Sequence, residues 1–121
     1  MPQNQQGAEE REAEQAVRDY QIVQEQLRSA ALQLNQLQNQ KAELARAKEE
    51  VTASKGRVYV TVGGVIVETD KEKALADVKE RSELADVRIA SLTKRYNELK
   101  GREKQLGDKL TQMYKKSQGS S

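Results

Sequence analysis

From Glu9 onward, apolar residues return at alternating steps of three and four: Ala13, Ala16, Tyr20, Val23, Leu27, Ala30, Leu34, Leu37, Leu44 and Val51. Only Lys41 and Lys48 interrupt this stripe with polar side chains. Such a rhythm, held for about five to six heptads, predicts a coiled-coil helix over residues 9–54 rather than a surface helix of a globule. At about 1.5 Å per residue it would run roughly 65 Å. Ser54-Lys55-Gly56 marks its stop, with Gly56 expected as a left-handed C-terminal cap. A second stripe predicts a helix over residues 70–116: Leu75, Val78, Ala85, Ile89, Leu92, Tyr96, Leu99, Leu106, Leu110 and Met113, with Ser82 and Glu103 as polar members. Thr69 followed by Glu72 reads as a capping box at its start, and Asp70 adds negative charge where the helix dipole favours it.

The two stripes mate. With Val51 beside Leu75, the layers become Lys48/Val78, Leu44/Ser82, Lys41/Ala85, Leu37/Ile89, Leu34/Leu92 and Ala30/Tyr96. They continue as Leu27/Leu99, Val23/Glu103, Tyr20/Leu106, Ala16/Leu110 and Ala13/Met113. Each is the a–d match of an antiparallel coiled coil, and no heptad is broken on either side. The expected fold is mostly α, a long antiparallel two-helix coiled coil folded within one chain. Its connection is the β-prone stretch Val58-Tyr59-Val60-Thr61-Val62, Gly63-Gly64, Val65-Ile66-Val67-Glu68-Thr69. A two-residue Gly-Gly loop suits the primed turns of a single β-hairpin over residues 57–68, because those turns need positive φ. Val62 then faces Val65 and Val60 faces Val67, with Val58 extending the same valine face. A lone two-stranded hairpin is marginal in water, and open edges invite pairing, so this one reads as an assembly element.

Composition narrows the function. Among 121 residues, 33% are charged and 3% aromatic, with one Pro, as in long helices. One domain, residues 9–116, is expected between flexible polar tails at 1–8 and 117–121. The net charge of +2 is interleaved rather than blocked, which argues against specific nucleic-acid binding. No apolar run approaches a membrane span, so no membrane partner and a cytoplasmic location are expected. With no His and no Cys, the common bases, nucleophile triads and nitrogen or sulfur metal sites are missing. No cofactor and no catalysis are expected, since carboxylates sit on solvated faces in pairs such as Glu98/Arg102.

Far from the hairpin, the second helix carries Gly101 and Gly107, and the Val23/Glu103 layer packs poorly. Beyond it lie Tyr20, Leu106, Leu110 and Met113, with Val17 and Tyr114 flanking. Fraying of a coiled-coil end accounts for this; so does an adaptable apolar grip for hydrophobic clients. Lys41 and Lys48 read as snorkelling side chains or as register selectors.

The order helix, single Gly-turn hairpin, helix resembles the β-class subunits of prefoldin across about Glu9 to Lys116. Val58-Tyr59-Val60-Thr61-Val62-Gly63-Gly64-Val65-Ile66-Val67-Glu68 looks like that family's hairpin signature, and Asp70-Lys71-Glu72-Lys73 like its helix start. The hairpin wording is similar to eukaryotic subunit 2, the following helix to archaeal β subunits. This resemblance implies a heterohexamer of two α-class and four β-class subunits. It would be an ATP-independent holdase that captures unfolded proteins at coiled-coil tips and delivers them to a group II chaperonin. It implies that Val58, Val60, Val62, Val65, Ile66 and Val67 serve assembly. By position, Val17, Tyr20, Leu106, Leu110, Met113 and Tyr114 would form the client-binding tip. The competing expectations are a homo-oligomeric coiled-coil scaffold without chaperone activity and a ribosome- or RNA-associated factor.

Overall fold

The computed structural model describes residues 2–119, with side chains from Gly7 onward. The order is α1 (Pro2–Ala53), β1 (Val58–Val62), β2 (Val65–Thr69) and α2 (Lys71–Gly119). Two compact units divide it: Met1–Leu32 with Thr93–Ser121, and Gln33–Leu92. Both helices contribute to both units.

The helices outrun the expected bounds, taking in residues 2–8 and 117–119. The three Gln and Ala8 of the first stretch are good helix formers, and Pro at a first helical position has no N–H to leave unpaired. Met1, Ser120 and Ser121 lie outside the described residues.

In the first unit the buried residues are Ala16, Val23, Leu27, Ala30 and Leu99, all on the two stripes. Register is visible in what crosses between the helices. Tyr20 Cε2 lies 3.6 Å from where a Gly107 Cβ would stand, one residue from the expected Tyr20/Leu106 layer. Lys109 reaches Glu12 at 3.3 Å and Lys116 reaches Glu9 at 3.8 Å. In the second unit Lys41 meets Asp86 at 2.5 Å, next to the expected Lys41/Ala85 layer. Lys41 is half exposed, so its stem covers the core while its charge stays wet. The core of this unit holds Val58, Ala74 and Ala85. Ala74 is 1% exposed although it lies off the stripe.

Two terminus assignments are corrected. Asp70, not Thr69, caps α2: its Oδ1 accepts the Lys73 backbone N–H at 2.7 Å. Thr69 is still paired with Val58 in the sheet, and Asp is at least as strong an N-cap as Thr. Gly56 has no positive φ and provides no left-handed cap. Instead Lys71 Nζ donates to the carbonyls of Thr52 (2.5 Å) and Ser54 (3.5 Å), putting a cation on the negative end of α1.

The hairpin has the expected register, Val62↔Val65, Thr61↔Ile66, Val60↔Val67, Tyr59↔Glu68 and Val58↔Thr69. Gly63 (φ 56°) and Gly64 (φ 83°) supply the positive φ at both central positions that defines a type I′ turn. Arg57 and Glu68 add an exposed ion pair across the strands at 3.4 Å.

Candidate functional site

Strand alternation puts Val58, Val60, Val62, Val65 and Val67 on one face of the two-stranded sheet, and Tyr59, Thr61, Ile66 and Glu68 on the other. Among the described residues nothing pairs with the outer edge of either strand. Val58 is buried against its own unit and Val60 is half-buried. Val62, Val65, Ile66 and Val67 are exposed, Ile66 most of all at 72%. Of the six residues expected to serve assembly, four therefore stand open and Val58 already has cover. The opposite face is not polar either, because Tyr59 is 55% exposed beside Ile66.

The six residues expected at the tip all belong to the first unit. Tyr20, Leu106, Leu110 and Met113 are half-buried along the helix seam, while Val17 and Tyr114 are exposed. Val17 also lines a shallow open depression with Ala13, Glu14 and Arg18. Nearby, Lys100 Nζ sits 5.9 Å from the Tyr96 ring centroid.

Other exposed apolar side chains, Ile22, Leu32, Leu84 and Val87, fall outside both stripes. Sequence reading passed over them because lone surface apolar residues are ordinary. It also missed Lys71, whose task depends on two helix ends meeting. Among the described residues the expected Glu98/Arg102 pair is not formed, whereas Arg81 and Asp77 form an intrahelical pair with four-residue spacing at 3.0 Å.

No polar or charged residue is buried among those described, and no group of three or more His, Cys, Asp or Glu converges as a metal site. No described helix is long and apolar enough to cross a membrane. What the fold offers is surface: an uncovered sheet and a partly open seam.

An antiparallel coiled coil closed by one hairpin with free edges defines a class of assembly-forming coiled-coil subunit. A family model described as prefoldin subunit matches residues 14–117. The prefoldin subunit beta of Thermococcus onnurineus is 38% identical over 97 residues, covering 78% of each chain. That of Pyrococcus abyssi is 36% identical over 89 residues, covering 72% of this chain and 76% of its own. The crystal structure of the prefoldin beta subunit from Thermococcus strain KS-1 matches with a TM-score of 0.75 at 28% identity, covering 84% of this chain and 90% of that one. The chain belongs to the prefoldin subunit family and carries the single hairpin of its β class.

Proposed function

We propose that the chain is one subunit of an ATP-independent, holdase-type chaperone of the cytoplasm. It assembles through its hairpin with α-class and other β-class prefoldin subunits, holds unfolded clients at the coiled-coil ends and delivers them to a group II chaperonin. Membership of a family of chaperone subunits, not enzymes, supports the general role. The observation that carries the assembly half is the open valine face. Val62, Val65 and Val67 present apolar surface on a sheet too small to be stable alone. For holding, the support is the combination of half-buried Tyr20, Leu106, Leu110 and Met113 with exposed Val17 and Tyr114. Met and Leu on a yielding seam suit varied apolar segments.

The test is to mix the purified chain with an α-class prefoldin subunit, size the product by light scattering, and follow aggregation of a denatured client without nucleotide. A defined hetero-oligomer that suppresses aggregation is expected. Val60→Asp or Val67→Asp should abolish assembly while the chain stays helical by circular dichroism. Deleting residues 1–20 and 107–121 should spare assembly and weaken holding. A homo-oligomer with no suppression would instead establish the scaffold reading.

A further inference from the structure

Within the first unit, charge is divided between the helices. Met1–Leu32 holds six Asp or Glu against three Lys or Arg, whereas Thr93–Ser121 holds three against eight. Two ion pairs use this difference to cross the seam: Lys109 reaches Glu12 at 3.3 Å, and Lys116 reaches Glu9 at 3.8 Å. Glu12 and Lys109 directly precede the stripe residues Ala13 and Leu110, whereas Val17 and Tyr114 directly follow Ala16 and Met113. In an antiparallel coiled coil those are opposite flanks of the seam. One flank of this end is therefore laced by charge, and the other carries exposed apolar side chains.

Apolar contact here is thin. Between Glu9 and Tyr20 the α1 stripe offers only Ala13 and Ala16, small apolar side chains, and the next stripe positions, Glu9 and Ser117, are polar. Ala16 is buried, yet Leu110 and Met113 on α2 stay half-buried. Gly107 sits in α2 against the Tyr20 ring, adding no side chain of its own to the seam. Exposed ion pairs are individually weak, each shifting an equilibrium by about 1.4- to 5-fold. Against a seam lined on one side by alanines, two such pairs are large enough to decide whether the end is shut.

We infer that Lys109–Glu12 and Lys116–Glu9 form an electrostatic clasp that keeps this end of the coil shut over Leu110 and Met113. The clasp grips one flank only. Releasing it widens the side on which Val17 and Tyr114 already stand exposed, and joins them to Leu110 and Met113 in one apolar surface. The clasp itself rests on the two ion pairs and the thin seam. Its consequence rests on the client-holding role proposed above: the clasp sets how much holding surface is on offer, and makes that amount depend on ionic strength.

The experiment follows amide hydrogen exchange of the full chain by mass spectrometry at about 0.01 M and about 1 M salt, where the Debye length falls from about 30 Å to about 3 Å. Segments 9–16 and 109–116 should exchange about two- to tenfold faster at high salt, while those around Val23 and Leu99 hold their rates. Glu9→Gln/Glu12→Gln should exchange fast at both salts. Glu10→Gln/Glu14→Gln removes the same charge outside the clasp and should behave as the native chain. Glu12→Lys should open the end, and adding Lys109→Glu should close it again. Exchange that ignores salt, equal effects of the two Gln variants, or no rescue by the reversed pair would overturn the clasp. Assembled with an α-class subunit, Glu9→Gln/Glu12→Gln should suppress client aggregation at a lower concentration than the native chain. Faster exchange without that gain would leave the clasp standing and overturn the placing of clients at this end.

Discussion

Glu103 stands in an otherwise apolar stripe at the level of Val23, and replacing it tests how strongly that layer limits the stability of the first unit. Val23 is 2% exposed and is the bulkiest fully buried side chain. The Glu103 side chain is only 24% exposed, and its one ion-pair partner is Lys100 at 3.6 Å, itself 52% exposed. In Glu103→Leu, about three quarters of a leucine would be covered, and with full burial worth about 1.5–3 kcal/mol the gain is about 1–2 kcal/mol. Loss of the pair with Lys100 costs no more than about 1 kcal/mol, because its partner is largely solvated. The balance is a stabilisation of about 1 kcal/mol, or about 3–6 °C in Tm for a chain of this size. Thermal and urea unfolding followed by far-ultraviolet circular dichroism measure it directly. An unchanged or lowered Tm would refute the reasoning, because it would mean that the layer is not short of apolar contact. If a yielding seam serves client holding, the same variant should also suppress client aggregation less well than the native chain once assembled.

Three further substitutions probe the joints of the fold. Gly64→Ala forces an L side chain into φ 83° with open space around it, so the cost of about 1–2 kcal/mol comes from the backbone alone and should show as a lower urea midpoint. Lys71→Met removes the cation from the α1 carbonyls while keeping the stem. A loss of about 0.5–1 kcal/mol is expected, with faster amide exchange in the last turn of α1. Ala74→Leu inserts three carbons where Ala74 is 1% exposed, and should destabilise by about 1–3 kcal/mol in the same urea assay.

The helices, their pairing and the hairpin register were legible because each rests on a periodic pattern. One slipped residue would have moved Val60 or Leu99 to the wrong face, so the stripes allowed little choice. The Lys41–Asp86 and Lys109–Glu12 bridges lie close to the layers that the stripes imply. The joints were not legible to the same degree. Thr69 and Asp70 are both competent N-caps, and only the pairing of Thr69 with Val58 settles which residue is free to serve. Gly56 carries the composition of a C-cap, yet Lys71, distant in sequence, takes over the α1 carbonyls once the hairpin brings the two helix ends together. Ala74, off the stripe yet 1% exposed, likewise lies in the first turn of α2 beside the junction. Local pattern determines what repeats, while contacts made at a corner depend on geometry that no window of sequence contains.

The same distinction bears on the hairpin. Along its valine face exposure climbs from 9% at Val58 to 44% at Val67, 58% at Val62 and 62% at Val65, so the chain itself shelters only the end nearest the helices. Two separate deficits remain, apolar side chains without cover and strand edges without partners. Water satisfies the edges but not the valines; an apolar surface covers the valines but leaves the edges. A strand from another subunit, carrying its own apolar face, answers both at once. For that reason a charge at Val60 or Val67 is the sharper probe of the proposed assembly. It makes the cover unfavourable while leaving every backbone group of β1 and β2 able to pair.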